Sequence, residues 1–267
     1  MLALGTSTAI RFCKQGGSDF ILNAFSQGVR HFDTAEDYFN EEVLAEPLGT
    51  TSGRREQAFI TTKFGRHDKT AQNVRESLNK SLKKLRMDYV DLYLVHDPAW
   101  YKEGSLGEIW AAMEKLKEEG LCRAIGVSNF QEHHIEELAR TWRIVPSINQ
   151  VEMSPFCAHD AMFQGIQRAC EKHGIVISPY TSLAPLHHKQ HPPLDEAVQR
   201  IGRARGMSDT QVLLAWALQT GKGPVVTATA KLERVQDYLG TFAFVLQPEE
   251  LEEISRVGKQ VSYRRWT

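Results

Sequence analysis

Short apolar runs alternate with amphipathic stretches along most of the chain. Eight of these runs have the length and composition of β-strands, and several are apolar without interruption, which is typical of strands buried on both faces of a parallel sheet. The runs are LALGT (2–6), VRHFDT (29–34), AFITTKF (58–64), YVDLYLVH (89–96), CRAIGVSN (122–129), SINQVEM (147–153), IVISPYT (175–181) and PVVTAT (224–229).

The stretches between these runs predict helices. In residues 72–87, apolar side chains recur at helical spacing on one face, at Val74, Leu78, Leu82 and Leu85. Residues 105–120 begin with Ser105 and carry Glu108 three positions later, which predicts a capping box, and Gly120 predicts the end of that helix.

Eight strands that alternate with helices in 267 residues predict a single-domain (β/α)8 TIM barrel over residues 1–267. The other fold considered is a doubly wound open sheet, which holds a dinucleotide on a glycine-rich first turn. No G-x-G-x-x-G motif follows any of the eight strands, and this absence favours the barrel.

Composition narrows the class of protein. The chain is 42% hydrophobic and 24% charged, and its 32 basic residues balance 33 acidic ones, so no strong field for nucleic acid or an anionic membrane is expected. There is no 18-residue apolar run, and the first residues lack the pattern of a signal peptide. We therefore expect a cytoplasmic protein that acts on a small molecule.

The cysteines and histidines are not spaced in the sequence as metal ligands usually are. The four cysteines, Cys13, Cys122, Cys157 and Cys170, include no C-x-x-C pair and are predicted to be reduced and structural. His187 and His191 are four residues apart, but they lie in a proline-flanked stretch without a carboxylate cluster, which favours a solvated loop. No metal site is predicted.

Polar residues concentrate at the ends of the predicted strands. In a barrel these ends and the loops after them face the catalytic mouth. The residues found there are Asp33, Tyr38, Lys63, His96, Ser128, Asn129, Gln150 and Tyr180.

The first four of these residues suggest an acid catalyst. A free phenol has a pKa of about 10, and a nearby ammonium group lowers that pKa by favouring the phenolate. Asp33 is the natural partner to hold Lys63 beside Tyr38, and His96 can hydrogen-bond the same reacting oxygen. An isolated Asp and Tyr would favour a structural role, but together the four side chains indicate a general acid for a carbonyl that becomes an alkoxide.

Six motifs in order resemble those of the aldo-keto reductase superfamily: HFDTAEDY, ITTKF, LYLVHDP, IGVSNF, INQVEMSPF and SPYTSLAPL. The resemblance runs from Leu4 to about Ile254. Within the superfamily, LGTST, APL and the tail VSYRRW are most similar to fungal conjugated polyketone (ketopantoyl lactone) reductases.

The resemblance implies a set of functional residues. The catalytic tetrad would be Asp33, Tyr38, Lys63 and His96, with Tyr38 as the acid. The nicotinamide cofactor would lie extended over the barrel mouth, bound by Thr6, Asp33, Ser128, Asn129, Gln150, Tyr180, Thr181, Ser182, Leu183, Thr229 and Arg234. The substrate would contact Tyr38, His96 and Trp100, although for Trp100 a role in core packing is equally open.

The chain departs from the family pattern in three ways. It starts directly at the first strand, so we expect a barrel without the N-terminal β-hairpin that usually closes the bottom. Asp97 replaces an aromatic residue that often borders the substrate. The loop 66–70 and the C-terminal tail are both short, so a wide substrate site is expected.

Cofactor choice is predicted from the segment after the eighth strand. Family members commonly hold the 2′-phosphate with a Lys-Ser pair and an Arg; here Ala228 and Thr229 stand at the pair, and Arg234 supplies the Arg. Lys231 is a nearby replacement for the missing charge. We therefore predict NADPH, with NADH possible if Arg234 only stacks on adenine or caps its helix.

The predicted activity is NADPH-dependent reduction of aldehydes or activated ketones, such as α-dicarbonyls and ketolactones, by a monomer or weak dimer. The alternative is a cofactor-binding regulatory subunit of the same fold with slow or no turnover. A metal-dependent barrel hydrolase would need H-x-H at the first strand, and the sequence has none there.

Overall fold

The computed structural model describes residues 1–7, 16–65 and 70–266. Eight parallel strands form one closed barrel in chain order. The strands are β1 (Leu2–Gly5), β2 (His31–Asp33), β3 (Phe59–Phe64), β4 (Val90–Val95), β5 (Cys122–Ser128), β6 (Ile148–Glu152), β7 (Val176–Tyr180) and β8 (Val225–Thr227).

Helices surround the barrel. They are α1 (Gly17–Ser26), α2 (Ala45–Leu48), α3 (Val74–Leu85), α4 (Leu106–Glu118), α5 (Glu132–Leu138), α6 (Ala161–His173), α7 (Ala184–His187), α8 (Pro192–Arg205), α9 (Asp209–Gly221), α10 (Leu232–Gly240) and α11 (Pro248–Gly258). Short 3-10 turns lie in several of the connections, including Glu36–Tyr38 after β2 and Pro98–Trp100 after β4. The predicted (β/α)8 architecture is confirmed, and each predicted strand falls on one of the eight.

The barrel closes by pairing its first strand with its last. β1 pairs with β2 on one side and with β8 on the other, where Leu2 stands opposite Val225. Because all strands are parallel, their carboxyl ends lie at one rim of the barrel, which is where the loops carrying polar residues begin.

The apolar residues divide into two cores. The larger lies between the strands and the helices and includes the predicted stripe on α3, where Val74, Leu78, Leu82 and Leu85 are all buried. The smaller lies inside the barrel and consists of Leu92, Leu94 and Ile148, with Phe59 and Ala124 packed against them. Burial of each large side chain stabilises the fold by about 1.5–3 kcal/mol.

One predicted helix signal is wrong. Ser105 precedes α4, but its hydroxyl donates to Lys102 O at 2.6 Å and makes no cap bond to the helix. The backbone of Ser105 is already helical, with φ −89° and ψ −8°, so the hydroxyl reaches back along the chain instead of forward. The predicted end is confirmed, because α4 stops at Glu118 and Gly120 adopts φ +80°.

Three further predictions concern an N-terminal β-hairpin, membrane-spanning helices and the cysteines. All described strands belong to the barrel, and no β-hairpin occurs among them. In that part of the chain, no helix has the length and apolar character needed to cross a bilayer. Cys122, Cys157 and Cys170 are buried free thiols, whereas Cys13 and residues 66–69 of the predicted short loop lie outside the described residues.

Candidate active site

A buried ion pair lies at the carboxyl rim of the barrel. Lys63 on β3 is fully buried, and its Nζ donates to Asp33 Oδ1 at 2.5 Å and to Thr34 O at 2.9 Å. The second carboxylate oxygen of Asp33 accepts from Gln150 Nε2 at 2.8 Å. Burial lowers the pKa of Lys63, but the charge of Asp33 and the hydrogen bonds raise it above the ordinary value, so the ammonium form persists at neutral pH.

Tyr38 extends this pair toward the mouth. It ends the 3-10 turn Glu36–Tyr38, and its hydroxyl lies 3.4 Å from Lys63 Nζ. Burial raises the pKa of the phenol; the ammonium of Lys63 lowers it, as the sequence predicted, but does not outweigh burial. The hydroxyl is therefore protonated at neutral pH, and the net shift is opposite to the one expected from Lys63 alone.

His96 lies across from Tyr38, directly after β4. Their rings meet edge to face with centroids 5.5 Å apart, and the ring of Trp100 also meets His96 edge to face, with centroids 4.9 Å apart. Burial lowers the pKa of His96. The carboxylate of Asp37, whose Oδ2 lies 3.5 Å from His96 Nδ1, acts in the opposite direction and raises this pKa, but the net shift is downward. Trp100 is half-buried in its 3-10 turn and is in contact with the His96 ring.

Amide and hydroxyl groups lie beside the ion pair at the ends of β5 to β7. Ser128 Oγ donates to Gln150 O at 2.9 Å, Tyr180 Oη donates to Asn129 Oδ1 at 2.7 Å, and Asn129 Nδ2 donates to His96 O at 3.0 Å. Asn129 adopts φ +63°, a left-handed conformation that these bonds hold in place. Ser128, Asn129 and Gln150 thus form a polar wall beside the ring of Tyr180.

The remaining predicted cofactor residues lie along the rim. Thr6 is buried, with its hydroxyl 2.9 Å from Thr34 Oγ1, and Ser182 is buried, with its hydroxyl donating to Met153 O at 2.9 Å. Thr181 adopts φ +58°, and the side chain of Leu183 is buried. Beyond β8, Thr229 is buried and accepts from Lys231 N at 3.1 Å, and Arg234 on α10 is exposed.

Sequence reasoning missed Asp37 and Glu152. Glu152 ends β6 and is buried; its two carboxylate oxygens accept from Arg265 N and Trp266 N, both at 2.8 Å. The C-terminal segment is thereby held at the rim, next to Tyr180 on the neighbouring strand. The two-residue alternation in a strand, which puts Glu152 on the same side as Gln150, is the signal that could have indicated it.

In the ranges 1–7, 16–65 and 70–266, no group of three or more His, Cys, Asp or Glu side chains could hold a metal ion. The solvated loop favoured for His187 and His191 is wrong in part: His187 is exposed, but it ends the short helix α7, and His191 directly precedes α8. His191 Nε2 lies 3.2 Å from Gln260 Oε1.

Comparison with known proteins identifies relatives over nearly the whole chain. Residues 2–259 match the model of the Aldo/keto reductase family. The NAD/NADP-dependent indole-3-acetaldehyde reductase of Schizosaccharomyces pombe is 36% identical over 97% of this chain and 91% of its own length. The NADPH-dependent alpha-keto amide reductase of Saccharomyces cerevisiae is 34% identical over 86% of this chain and 75% of its own length.

A solved structure agrees with the barrel. The Bombyx mori aldo-keto reductase in complex with NADP superposes with a TM-score of 0.82 at 27% identity, covering 96% of this chain and 88% of that one.

Proposed function

This chain belongs to the Aldo/keto reductase family, and we propose that it reduces aldehydes and activated ketones to alcohols with NADPH. The observation that carries the proposal is the contact of the Tyr38 hydroxyl with an ammonium group, Lys63 Nζ, which is itself bound to Asp33. A phenol in this position can protonate a carbonyl oxygen, and the cation then stabilises the phenolate.

Tyr38 is the proton donor in the proposed reaction. Burial keeps its phenol protonated at neutral pH, so the proton is in place before the reaction. As hydride adds to the carbonyl carbon, negative charge grows on the oxygen, which takes the proton from Tyr38 Oη. The phenolate lies beside the Lys63 ammonium until a proton from solvent restores the hydroxyl.

His96 has a second role at the same oxygen. It lies across the site from Tyr38, so a carbonyl oxygen between them would contact both side chains. A hydrogen bond from His96 would stabilise the developing charge and orient the carbonyl. Trp100 would form a wall of the substrate pocket, because its ring packs against His96.

The polar wall at β5 to β7 fits a nicotinamide. Ser128, Asn129 and Gln150 offer amide and hydroxyl groups to an uncharged carboxamide, and the partly exposed ring of Tyr180 offers a face for stacking. Reduced nicotinamide supplies the hydride when bound. Thr6 and Asp33 would lie near its ribose, and residues 181–183 would line the pyrophosphate.

The exposed cations after β8 support a preference for NADPH. Arg234 and Lys231 are both exposed, and Thr229 lies beside Lys231. An arginine makes bidentate, charge-assisted contacts with a phosphate, so Arg234 would hold the 2′-phosphate that distinguishes NADPH from NADH.

The proposed substrates are aldehydes, α-dicarbonyls and ketolactones. The printed names of the two fungal relatives describe an aldehyde reductase and an alpha-keto amide reductase. The tail and turn motifs that resemble conjugated polyketone reductases extend this class to cyclic ketolactones. All of these carbonyl carbons are electron-poor, which favours hydride addition.

The proposal is tested by steady-state oxidation of NADPH with a panel of aldehydes, vicinal diketones and ketolactones. Tyr38→Phe should lower kcat by at least about a hundredfold, because a general acid is lost, and should leave NADPH binding nearly unchanged. Tyr93→Phe is the matched control: it removes a buried phenol hydroxyl that donates to Ser77 Oγ instead of facing Lys63, and it should turn over normally.

Near-normal kcat in Tyr38→Phe would remove Tyr38 from the mechanism. An unaltered protein that binds NADPH but reduces no member of the panel would instead support the regulatory-subunit alternative.

Cofactor choice is tested separately with Arg234→Ala. Loss of a charge-assisted contact to the phosphate should cost about 2 kcal/mol in kcat/KM with NADPH, roughly thirtyfold, and little with NADH. Arg256→Ala removes another exposed helical arginine, on α11, and should change neither value. Equal losses with both cofactors in Arg234→Ala would contradict the assignment.

A further inference from the structure

Among the described residues, Asp37 carries a carboxylate that lies against the imidazole of His96. Its side chain is buried, at 7% exposure, and Oδ2 lies 3.5 Å from His96 Nδ1. We propose that Asp37 is a positioning residue that keeps the proton of His96 on Nδ1, so that His96 can donate a hydrogen bond to substrate only as the imidazolium. This inference rests on the proposed carbonyl reduction and adds a pH control to it.

The backbone around Asp37 directs its carboxylate to this place. Asp37 is the middle residue of the 3-10 turn that ends in Tyr38, so its position is tied to that of the proton donor. Gly65, directly after β3, leaves the room that the carboxylate occupies: a Cβ at Gly65 would lie only 2.5 Å from Asp37 Oδ2. Any other residue at position 65 would displace the carboxylate.

The chemistry of the contact favours the form of His96 that carries its proton on Nδ1. An ionised carboxylate only accepts hydrogen bonds, so the facing nitrogen of His96 is favoured in its N–H form. In a neutral ring, Nε2 then carries only a lone pair. A substrate carbonyl oxygen also only accepts, so the neutral ring offers it no hydrogen bond, whereas the imidazolium donates from both nitrogens.

The 3.5 Å separation between Asp37 Oδ2 and His96 Nδ1 is longer than an optimal hydrogen bond, and His96 Nδ1 has no hydrogen-bond partner among the described residues of the ligand-free structure. Catalytic hydrogen bonds are often long in a ligand-free site and shorten when substrate binds. Protonation of His96 would also draw the two groups together, because the contact then becomes an ion pair in a buried place.

Burial and the charges around His96 together determine its pKa. Burial lowers the pKa of His96 below the ordinary value; Asp37 and Asp33 on β2 favour the imidazolium, and Lys63 on β3 disfavours it. The neighbouring phenol of Tyr38 stays uncharged at neutral pH. The donating form of His96 is therefore populated on the acid side of neutrality, so carbonyl reduction should weaken as pH rises.

The test is the pH profile of kcat/KM between about pH 5 and 8 for the unaltered protein and Asp37→Asn. In the unaltered protein, kcat/KM should fall with rising pH, approaching about tenfold per pH unit above the pKa of one titrating group. In the variant, the negative charge that favours a proton on Nδ1 is gone, so the neutral ring can carry its proton on Nε2 and donate it to the substrate. The variant should therefore show a flat profile.

Glu36→Gln is the matched control. It removes a negative charge from the same turn, but the Glu36 carboxylate accepts from Ser77 Oγ at 2.7 Å and from Gly65 N at 3.4 Å rather than facing the His96 ring. This variant should keep the slope of the unaltered protein. A flat profile in the unaltered protein, a retained slope in Asp37→Asn, or an equally flattened profile in Glu36→Gln would overturn the proposal.

A second measurement needs no substitution at Asp37. The nitrogen-15 chemical shifts of His96, assigned by their loss in His96→Asn, report which ring nitrogen carries the proton. A protonated Nδ1 in the neutral ring supports the proposal, and a bare Nδ1 overturns it. If the protein reduced no carbonyl, the proposed function would fail while these shifts still decided the state of His96.

Discussion

Two buried ion pairs stand at opposite ends of the barrel. At the carboxyl rim, Lys63 pairs with Asp33. At the amino-terminal end, Arg55, in the turn before β3, donates from Nη2 to Asp91 Oδ2 at 2.8 Å near the start of β4. Both pairs are almost completely excluded from solvent, so burial alone does not distinguish the proposed catalytic pair from the pair at the other end.

The difference lies in the third partner. Asp91 also accepts from Ile60 N and from Arg123 Nη1, and the guanidinium groups of both arginines lie over the Tyr89 ring, at 3.9 and 4.2 Å from its centroid. Arginine does not lose its proton at any ordinary pH, so this cluster only joins strand ends. Lys63 instead faces the Tyr38 hydroxyl, a group that can give up a proton.

Lys63→Met should have the largest effect. Without the cation, the phenolate that forms in the proposed reaction is no longer stabilised, and kcat/KM should fall by about 10²–10⁴-fold. The measurement is NADPH oxidation with the best substrate of the panel, and Arg55→Met, at the other end, should leave kcat/KM nearly unchanged. Equal losses in the two variants would show that both act through the fold.

Arg55→Met should have the next largest effect, on stability. Removing one partner of a buried pair leaves its charge uncompensated, which costs about 3–5 kcal/mol; Arg123 and Ile60 N still contact Asp91, so we expect about 3 kcal/mol. Urea titration of the free energy of unfolding measures the loss. An unchanged midpoint would show that the pair contributes no net stability.

Arg55→Lys would turn the pair with Asp91 into a Lys–Asp pair, whose cation can lose its proton at alkaline pH as Lys63 can. The pKa of Lys63 is raised in the folded protein, so its pair stabilises the fold fully below about pH 10 and loses this contribution as pH rises through the folded pKa. A lysine at position 55 should behave in the same way. We expect a loss of about 1 kcal/mol at neutral pH and a steeper loss of stability above about pH 10 than in the unaltered protein.

Parallel alkaline unfolding curves for Arg55→Lys and the unaltered protein would contradict this expectation.

Arg123→Met should have the smallest effect. Its side chain is 60% exposed, so solvent screens the contact with Asp91, and the expected loss is about 0.5 kcal/mol. Combining it with Arg55→Met should cost more than the sum of the two, because Asp91 would then lose both cations. Strict additivity would show that the two arginines act independently.

Much of the fold could be predicted because strands buried on both faces of a parallel sheet consist of continuous apolar residues, which are recognisable in the sequence. The bounds of β4 and β5 fall within a residue or two of the predicted runs. Ser105 misled the prediction because a capping box depends on the dihedral angles of the cap, and those follow from the preceding turn.

The candidate site was partly predictable for a similar reason. Lys63 and Gln150 lie on strands, where position along the strand fixes which rim a side chain reaches. Asp37 lies in a 3-10 turn, whose direction depends on the space left by Gly65. The cluster at Asp91 gave no signal either, since charged residues at strand starts usually face solvent.

The seam between β7 and β8 has a consequence for the dynamics of the barrel. These strands share a single register pair, Tyr180 opposite Val226, with one further bridge from Ile177 to Lys222 before β8, whereas β6 and β7 share five pairs. A bond from Ser178 Oγ to Pro224 O adds to the seam, but we expect local opening to begin there. Tyr180 is also the ring on which a nicotinamide would stack, so cofactor binding should slow hydrogen exchange of the β8 amides and hold the barrel closed.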